Sequence, residues 1–281
     1  MPKCNVCHNG CYLKEGDIGL CMARICRDGK VVAKNYGQIT SIALDPIEKK
    51  PLNLFYPGSM VVSVGSYGCN LRCPFCQNHE ISYDFDREYP YGFREISPVE
   101  LAGIALQYKD EGNIGVAFTY NEPLVGYEYV VDAAIEVHKR GMKTVLVSNG
   151  NVSREVAEEV IPHIDAMNID LKGFTDAYYR DVLKGDREMV MDFIEMAAGK
   201  SHVEVTTLVV PGYNDTEVEI KELSKWLSSL DGGRGKESIA LHLSRYFPRF
   251  KMDVPATDVG LIYHLRDVAG KELDHVFTGN C

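Results

Sequence analysis

The sequence predicts an α/β protein, a partial, open parallel β/α barrel behind a small Cys-rich N-terminal extension. From Met60 onward, short Val- and Ile-rich runs alternate with longer amphipathic ones. That alternation marks parallel strands covered by helices. Six or seven such units are present, too few to close an eight-stranded barrel. The extension is set apart by residues 1–58, which hold five of the nine cysteines but only short apolar runs. The expected division is 1–58, a Cys-rich, metal-binding segment, and 59–281, the barrel core.

Strands are expected at 60–66, 114–119, 143–148, 166–171, 203–210, 238–243 and 275–278, each a short run rich in branched apolar residues. Helices are expected at 98–109, 125–140, 153–161, 186–198, 215–230 and 257–269. Ser97, Ser153 and Asp215 stand where N-caps belong. The Gly-rich stretch 231–236 reads as a mobile loop before a strand.

Composition narrows the function. Hydrophobic content of 45% and charged content of 25% are those of an ordinary globular chain. A net charge of −10 argues against nucleic-acid binding, which rests on clustered Lys and Arg. No run approaches the roughly 18 apolar residues of a membrane span, and Met1-Pro2-Lys3-Cys4-Asn5 lacks a signal pattern. Nine cysteines in that context point to reduced thiols, metal ligation and the cytoplasm.

The strongest motif follows the first strand. Cys69, Cys73 and Cys76 read C-x3-C-x2-C, a three-thiolate set for an iron–sulfur cluster with one iron left open. A zinc knuckle with a borrowed fourth ligand is the plainer alternative. Polar residues recur after later strands: Thr119-Tyr120-Asn121-Glu122-Pro123, Ser148-Asn149-Gly150, Asp170-Leu171-Lys172, Pro211-Gly212-Tyr213-Asn214 and His242-Leu243-Ser244-Arg245. In parallel β/α folds chemistry gathers at those strand ends. Near the amino terminus Cys4, Cys7, Cys11 and Cys21 offer four thiolates within eighteen residues. They suit zinc or an auxiliary cluster, with free thiols as the bland alternative and Cys26 and His8 as substitutes. Cys281 reads as an incidental thiol.

With these residues the chain resembles the radical S-adenosylmethionine (SAM) proteins of the pyruvate formate-lyase-activating-enzyme-like group. It is most similar to the radical SAM component of the AmmeMemoRadiSam system. The likeness also draws on Asp45-Pro46-Ile47-Glu48-Lys49-Lys50-Pro51-Leu52, on Thr206–Gly212 and on Tyr246-Phe247-Pro248. It implies a radical SAM type of partial barrel, a [4Fe–4S] cluster on Cys69, Cys73 and Cys76, and SAM on the open iron. Glu122, with Asn121 beside it, would meet the SAM ammonium. Ser148 and Asn149 would meet ribose or carboxylate oxygens. Lys172, ordered by Asp170, would meet the carboxylate, and Phe75 would face adenine or simply pack the core. His242, Arg245 and Tyr213 are candidate substrate contacts.

The implied activity is reductive SAM cleavage to a 5′-deoxyadenosyl radical that takes hydrogen from a peptide or protein. A flavodoxin- or ferredoxin-type reductant and Memo-type companion proteins are the implied partners. Two alternatives stand: an activase of glycyl-radical enzymes, and a non-catalytic iron–sulfur or zinc electron-transfer protein. There are departures from the group. Tyr120 and Asn121 replace the two glycines of its Gly-Gly-Glu-Pro motif. Val147 replaces an acidic residue, which puts a bound cation in doubt. No cysteine lies between Cys76 and Cys281.

Overall fold

The structure, a computed structural model, describes residues 1–83 and 92–281. Its frame is one eight-stranded sheet. The strands are β4 (Ser41–Pro46), β5 (Met60–Gly65), β7 (Asn113–Phe118), β8 (Lys143–Ser148), β9 (Ala166–Asp170), β10 (His202–Val209), β11 (Ala240–Arg245) and β12 (Val276–Gly279). They lie in the order β12-β11-β10-β9-β8-β7-β5-β4, so the sheet is open. Every pair is parallel except β4–β5. The chain begins with the hairpin β1 (Arg24–Arg27) and β2 (Lys30–Ala33), and β3 (Gln38–Ile39) pairs with β6 (Arg94–Glu95).

Helices join the parallel strands, as parallel pairing requires. A short α1 (His79–Ser82) follows the cysteine loop. Then come α2 (Pro98–Gln107), α3 (Tyr127–His138), α4 (Arg154–Val160), α5 (Arg187–Ala197), α6 (Glu217–Gly233), α7 (Gly235–Ser238) and α8 (Val259–Ala269). Ser97 starts α2 with a reciprocal capping box to Glu100, and Ser153 caps α4. The expected Asp215 cap is corrected by one residue: Thr216 accepts from Glu219 N–H and opens α6. No helix among the described residues is long and apolar enough to cross a membrane.

Two expectations change. The stretch 231–236 is a structured reversal, not a loose loop. Asp231 and Gly232 take φ of +52° and +66°, Asp231 accepts from Arg234 at 2.7 Å, and α7 follows at once. That helix delays β11 to Ala240, two residues later than expected. The strand β4 was not foreseen, because its six residues are all half-buried and show no alternation.

One face of the sheet packs Val62, Val64, Val116, Phe118, Leu146, Met167 and Ile169 into the main core with the helices. On the opposite face Val61, Ala117, Val145 and Ala166 bury Ile47, Leu52 and Phe55 of the segment after β4. That segment plugs the barrel interior below the carboxyl ends of the strands, and leaves those ends as the open rim.

Candidate functional site

At that rim a cleft of about 500 Å³ opens. Cys69, Cys73 and Cys76 line it, on the loop that leaves β5. The loop turns at Gly68, whose φ of +91° favours glycine and whose absent Cβ would collide with the Cys21 carbonyl. That carbonyl accepts Cys69 N–H at 3.1 Å. The Arg72 guanidinium donates to the carbonyls of Cys69 and Leu71, each at 2.8 Å, and to that of Leu20.

The loop fits a cluster. Leu71 N–H (3.4 Å) and Asn149 Nδ2 (3.7 Å) both point at Cys69 Sγ, as suits a sulfur that carries charge. Burial pushes up all three thiols, Cys73 to about 11, so thiolates here need a compensating metal. Among the described residues no three His, Cys, Asp or Glu side chains stand where one metal ion would hold them. A cubane takes its cysteines at separate corners, so it does not need single-ion spacing.

Glu122, Ser148, Asn149, Asp170 and Lys172 all line the cleft with the cysteines. The Glu122 carboxylate is buried and accepts from Ser148 Oγ–H (2.7 Å), Asn149 N–H (2.8 Å) and Leu124 N–H (3.0 Å). Burial raises its pKa to about 7 against those three donors. Ser148 and Asn149 are thereby engaged within the protein. The Asn149 amide donates to Asn70 Oδ1 at 3.0 Å, on the cysteine loop. Asn121 braces backbone: its Oδ1 accepts Ser66 N–H (2.9 Å), and its Nδ2 donates to the carbonyls of Gly68 (3.1 Å) and Glu122 (3.2 Å).

Lys172 Nζ lies 2.8 Å from Asp170 Oδ2. Burial alone would lower its pKa, but the charges of Asp170 and then Cys73 carry it well above its usual value. Asn214 fixes the Lys172 carbonyl at 2.6 Å. Phe75 lines the cleft, edge-on to Tyr246 with ring centroids 6.3 Å apart.

Of the three expected substrate contacts, only Arg245 lines the cleft. Its Nε donates to the Thr257 carbonyl at 2.8 Å, and its guanidinium lies 4.6 Å over Phe247. His242 precedes the end of β11 by three residues and is buried, 2.6 Å from Glu204 Oε2. Tyr213 packs against Tyr178 and is absent from the cleft lining.

Asp45, Lys50 and Tyr120 form an array that residue-by-residue reading left without a role. Tyr120 and Lys50 line the cleft. Lys50 Nζ is 2.9 Å from Asp45 Oδ2 and 4.7 Å over the Tyr120 ring. In sequence the charged run 45–50 looks solvated; only packing buries Lys50.

Cys4, Cys7, Cys11 and Cys21 line one small pocket with Gly19 and Arg24. Burial raises the Cys7 thiol, and raises that of Cys21 to about 11. Cys26 stands apart beside Glu15, His8 Nε2 meets the Lys184 carbonyl at 2.8 Å, and Cys281 is exposed.

The Radical SAM superfamily profile matches residues 63–226, from the cysteine loop through the Lys172 strand and beyond. The chain belongs to the Radical SAM superfamily. The family implies a [4Fe–4S] cluster and SAM, and it consists of enzymes. An uncharacterized protein of Methanocaldococcus jannaschii, MJ0808, is 39% identical over 99% of this chain and 81% of its own length. A pyruvate formate-lyase-activating enzyme of Staphylococcus aureus is 24% identical over 62% of this chain and 72% of its own. Among solved structures, a radical SAM methyltransferase from Sphaerobacter thermophilus superposes with a TM-score of 0.59 at 14% identity, covering 80% of this chain and 67% of the other. That likeness supports the radical SAM fold alone.

Proposed function

We propose that this radical SAM protein cleaves SAM reductively at a cluster held by Cys69, Cys73 and Cys76, and turns the product radical on a peptide or protein substrate. One observation carries the reading: the three cysteines after β5 line the same cleft as Glu122 after β7 and Asp170 and Lys172 at the end of β9. When bound, the cluster and SAM supply one-electron cleavage of the sulfonium and a 5′-deoxyadenosyl radical that removes a hydrogen atom from substrate.

The chain's own residues bind and orient. Glu122, held by three internal donors, offers its charge to the SAM ammonium. Lys172 offers its ammonium to the carboxylate, while Asp170 holds it in place. Phe75 supplies an apolar wall for adenine, and Arg245 stands where substrate enters. We assign an auxiliary cluster, which does not need single-ion spacing, to the pocket of Cys4, Cys7, Cys11 and Cys21. The resemblance to activating enzymes supports a polypeptide substrate, either a glycyl-radical enzyme or a Memo-type companion.

The test is 5′-deoxyadenosine release by anaerobically reconstituted protein given SAM and a low-potential reductant. Product that vanishes with Cys73→Ala supports the reading. A loaded cluster whose EPR signal ignores SAM would overturn it and favour the electron-transfer alternative.

A further inference from the structure

Among the described residues the cleft is lined by four cations, Lys49, Lys50, Lys172 and Arg245, against two acids, Glu122 and Asp170. The chain as a whole has the opposite balance, 30 basic to 40 acidic residues. Three of the four cations are paired. Lys172 lies on Asp170, and Lys49 and Lys50 share Asp45. Glu122 is already held by Ser148, Asn149 and Leu124. Arg245 has no carboxylate partner among the described residues.

Arg245 is also fixed in place. It ends β11 in register with Val209, the last residue of β10. Its Nε donates to the carbonyl of Thr257, a fully buried residue that is itself braced. Thr257 Oγ1 donates to the Val209 carbonyl at 2.6 Å and accepts Tyr246 N–H at 3.1 Å. The guanidinium carbon rests 4.6 Å from the centroid of the Phe247 ring. Only Nε is engaged among the described residues, which leaves the two terminal nitrogens as a free fork. That fork matches the two oxygens of a carboxylate. Held by Thr257 and Phe247, the side chain has little freedom left to lose when a ligand binds.

We propose that the polypeptide substrate presents a carboxylate to Arg245, from an acidic side chain or from its carboxyl terminus. Arg245 is then a specificity residue: it selects acidic over neutral segments and takes no part in holding SAM. The inference rests on the proposed reading of this cleft as the radical SAM site with a polypeptide substrate.

The probes are three acetylated tripeptides: amidated Gly-Glu-Gly, amidated Gly-Gln-Gly, and Gly-Gln-Gly with a free carboxyl terminus. Binding is read by ligand-observed NMR on the reconstituted full chain, with SAM present and no reductant, so that no turnover occurs. Iron content and SAM affinity are measured first; a chain that holds neither cluster nor SAM overturns the reading of the site itself. With both bound, a carboxylate probe is expected to bind about ten- to hundredfold tighter than the neutral amide. Preference for the Glu probe assigns the carboxylate to a side chain, and preference for the free acid assigns it to a terminus. Arg245→Gln is expected to abolish the preference, and Arg245→Lys, which keeps the charge but not the fork, to retain part of it. SAM affinity is expected to stay unchanged in both. Equal binding or no binding of all three probes to wild type overturns the proposal. So does a preference that survives Arg245→Gln, or a SAM affinity that falls in step with it.

Discussion

Tyr120 donates its hydroxyl to Asp45 Oδ2 at 2.9 Å, from a backbone held at φ +72°. This is the position where the related Gly-Gly-Glu-Pro motif carries glycine. A left-handed conformation is costly for a bulky residue, so surrounding contacts must hold it. Asp45 and Lys50 supply them. Burial would raise the Asp45 pKa, but Lys50 and Tyr120 bring it down to about 2.

Tyr120→Phe is therefore expected to cost about 1–2 kcal/mol in urea unfolding. Lys50→Met removes the buried cation of Asp45 and leaves only the exposed Lys49, 3.3 Å from its other oxygen, and should cost on the order of 3 kcal/mol. Because the folded Asp45 pKa is depressed, its contribution is present above the ordinary 3.8 and is lost as pH falls toward 2. A Lys50→Met protein with unchanged urea midpoint would contradict this account.

Glu122 behaves in the opposite sense. Its folded pKa of about 7 exceeds the ordinary 4.5, so the folded state binds the extra proton between those values. Stability is expected to fall as pH rises from 4.5 to 7, by an amount on the order of 3 kcal/mol, and then to level off. Glu122→Gln should flatten that slope. If the SAM ammonium sits there, SAM binding should release a proton near pH 7, which calorimetry in two buffers of different ionisation enthalpy measures.

The Gly68→Ala substitution tests the junction between the N-terminal segment and the cysteine loop. It imposes a left-handed alanine and a collision with the Cys21 carbonyl. A loss of roughly 1–3 kcal/mol is expected, together with lower iron retention after gel filtration. Full retention would show that Cys69 does not depend on that contact.

Glu204 and His242 are expected to matter for the fold and not for substrate. Glu204 is fully buried and accepts from Asn53 N–H (3.0 Å), Leu54 N–H (2.8 Å), His202 (2.9 Å) and His242 (2.6 Å). Burial favours its neutral form, but His202, His242 and the two amides hold its pKa to about 2. Glu204→Ala should cost about 3–5 kcal/mol. His242→Asn should lower the melting temperature while SAM cleavage per loaded cluster stays within about twofold of wild type. A selective loss of cleavage at unchanged stability would return His242 to the site.

Local signals carried the frame. Each parallel strand and helix has its own apolar period, and three closely spaced cysteines mark the loop after β5. That is why β5 and β7–β12 were legible within a few residues, as were the strand-end positions of Glu122, Ser148, Asn149, Asp170 and Lys172.

Depth and partnership were not legible, because they depend on chain segments far apart in sequence. The sequence by itself determined the cysteine loop, the winding of the barrel and the polar rim. Only the tertiary structure decided that residues 41–46 join the sheet beside β5, that Lys50 is buried against Tyr120, and that His242 is turned to Glu204 below the cleft. It also decided that the Tyr178 hydroxyl is buried without a partner. Periodicity reports which face of an element is apolar; which charges meet inside the barrel is set by packing between elements.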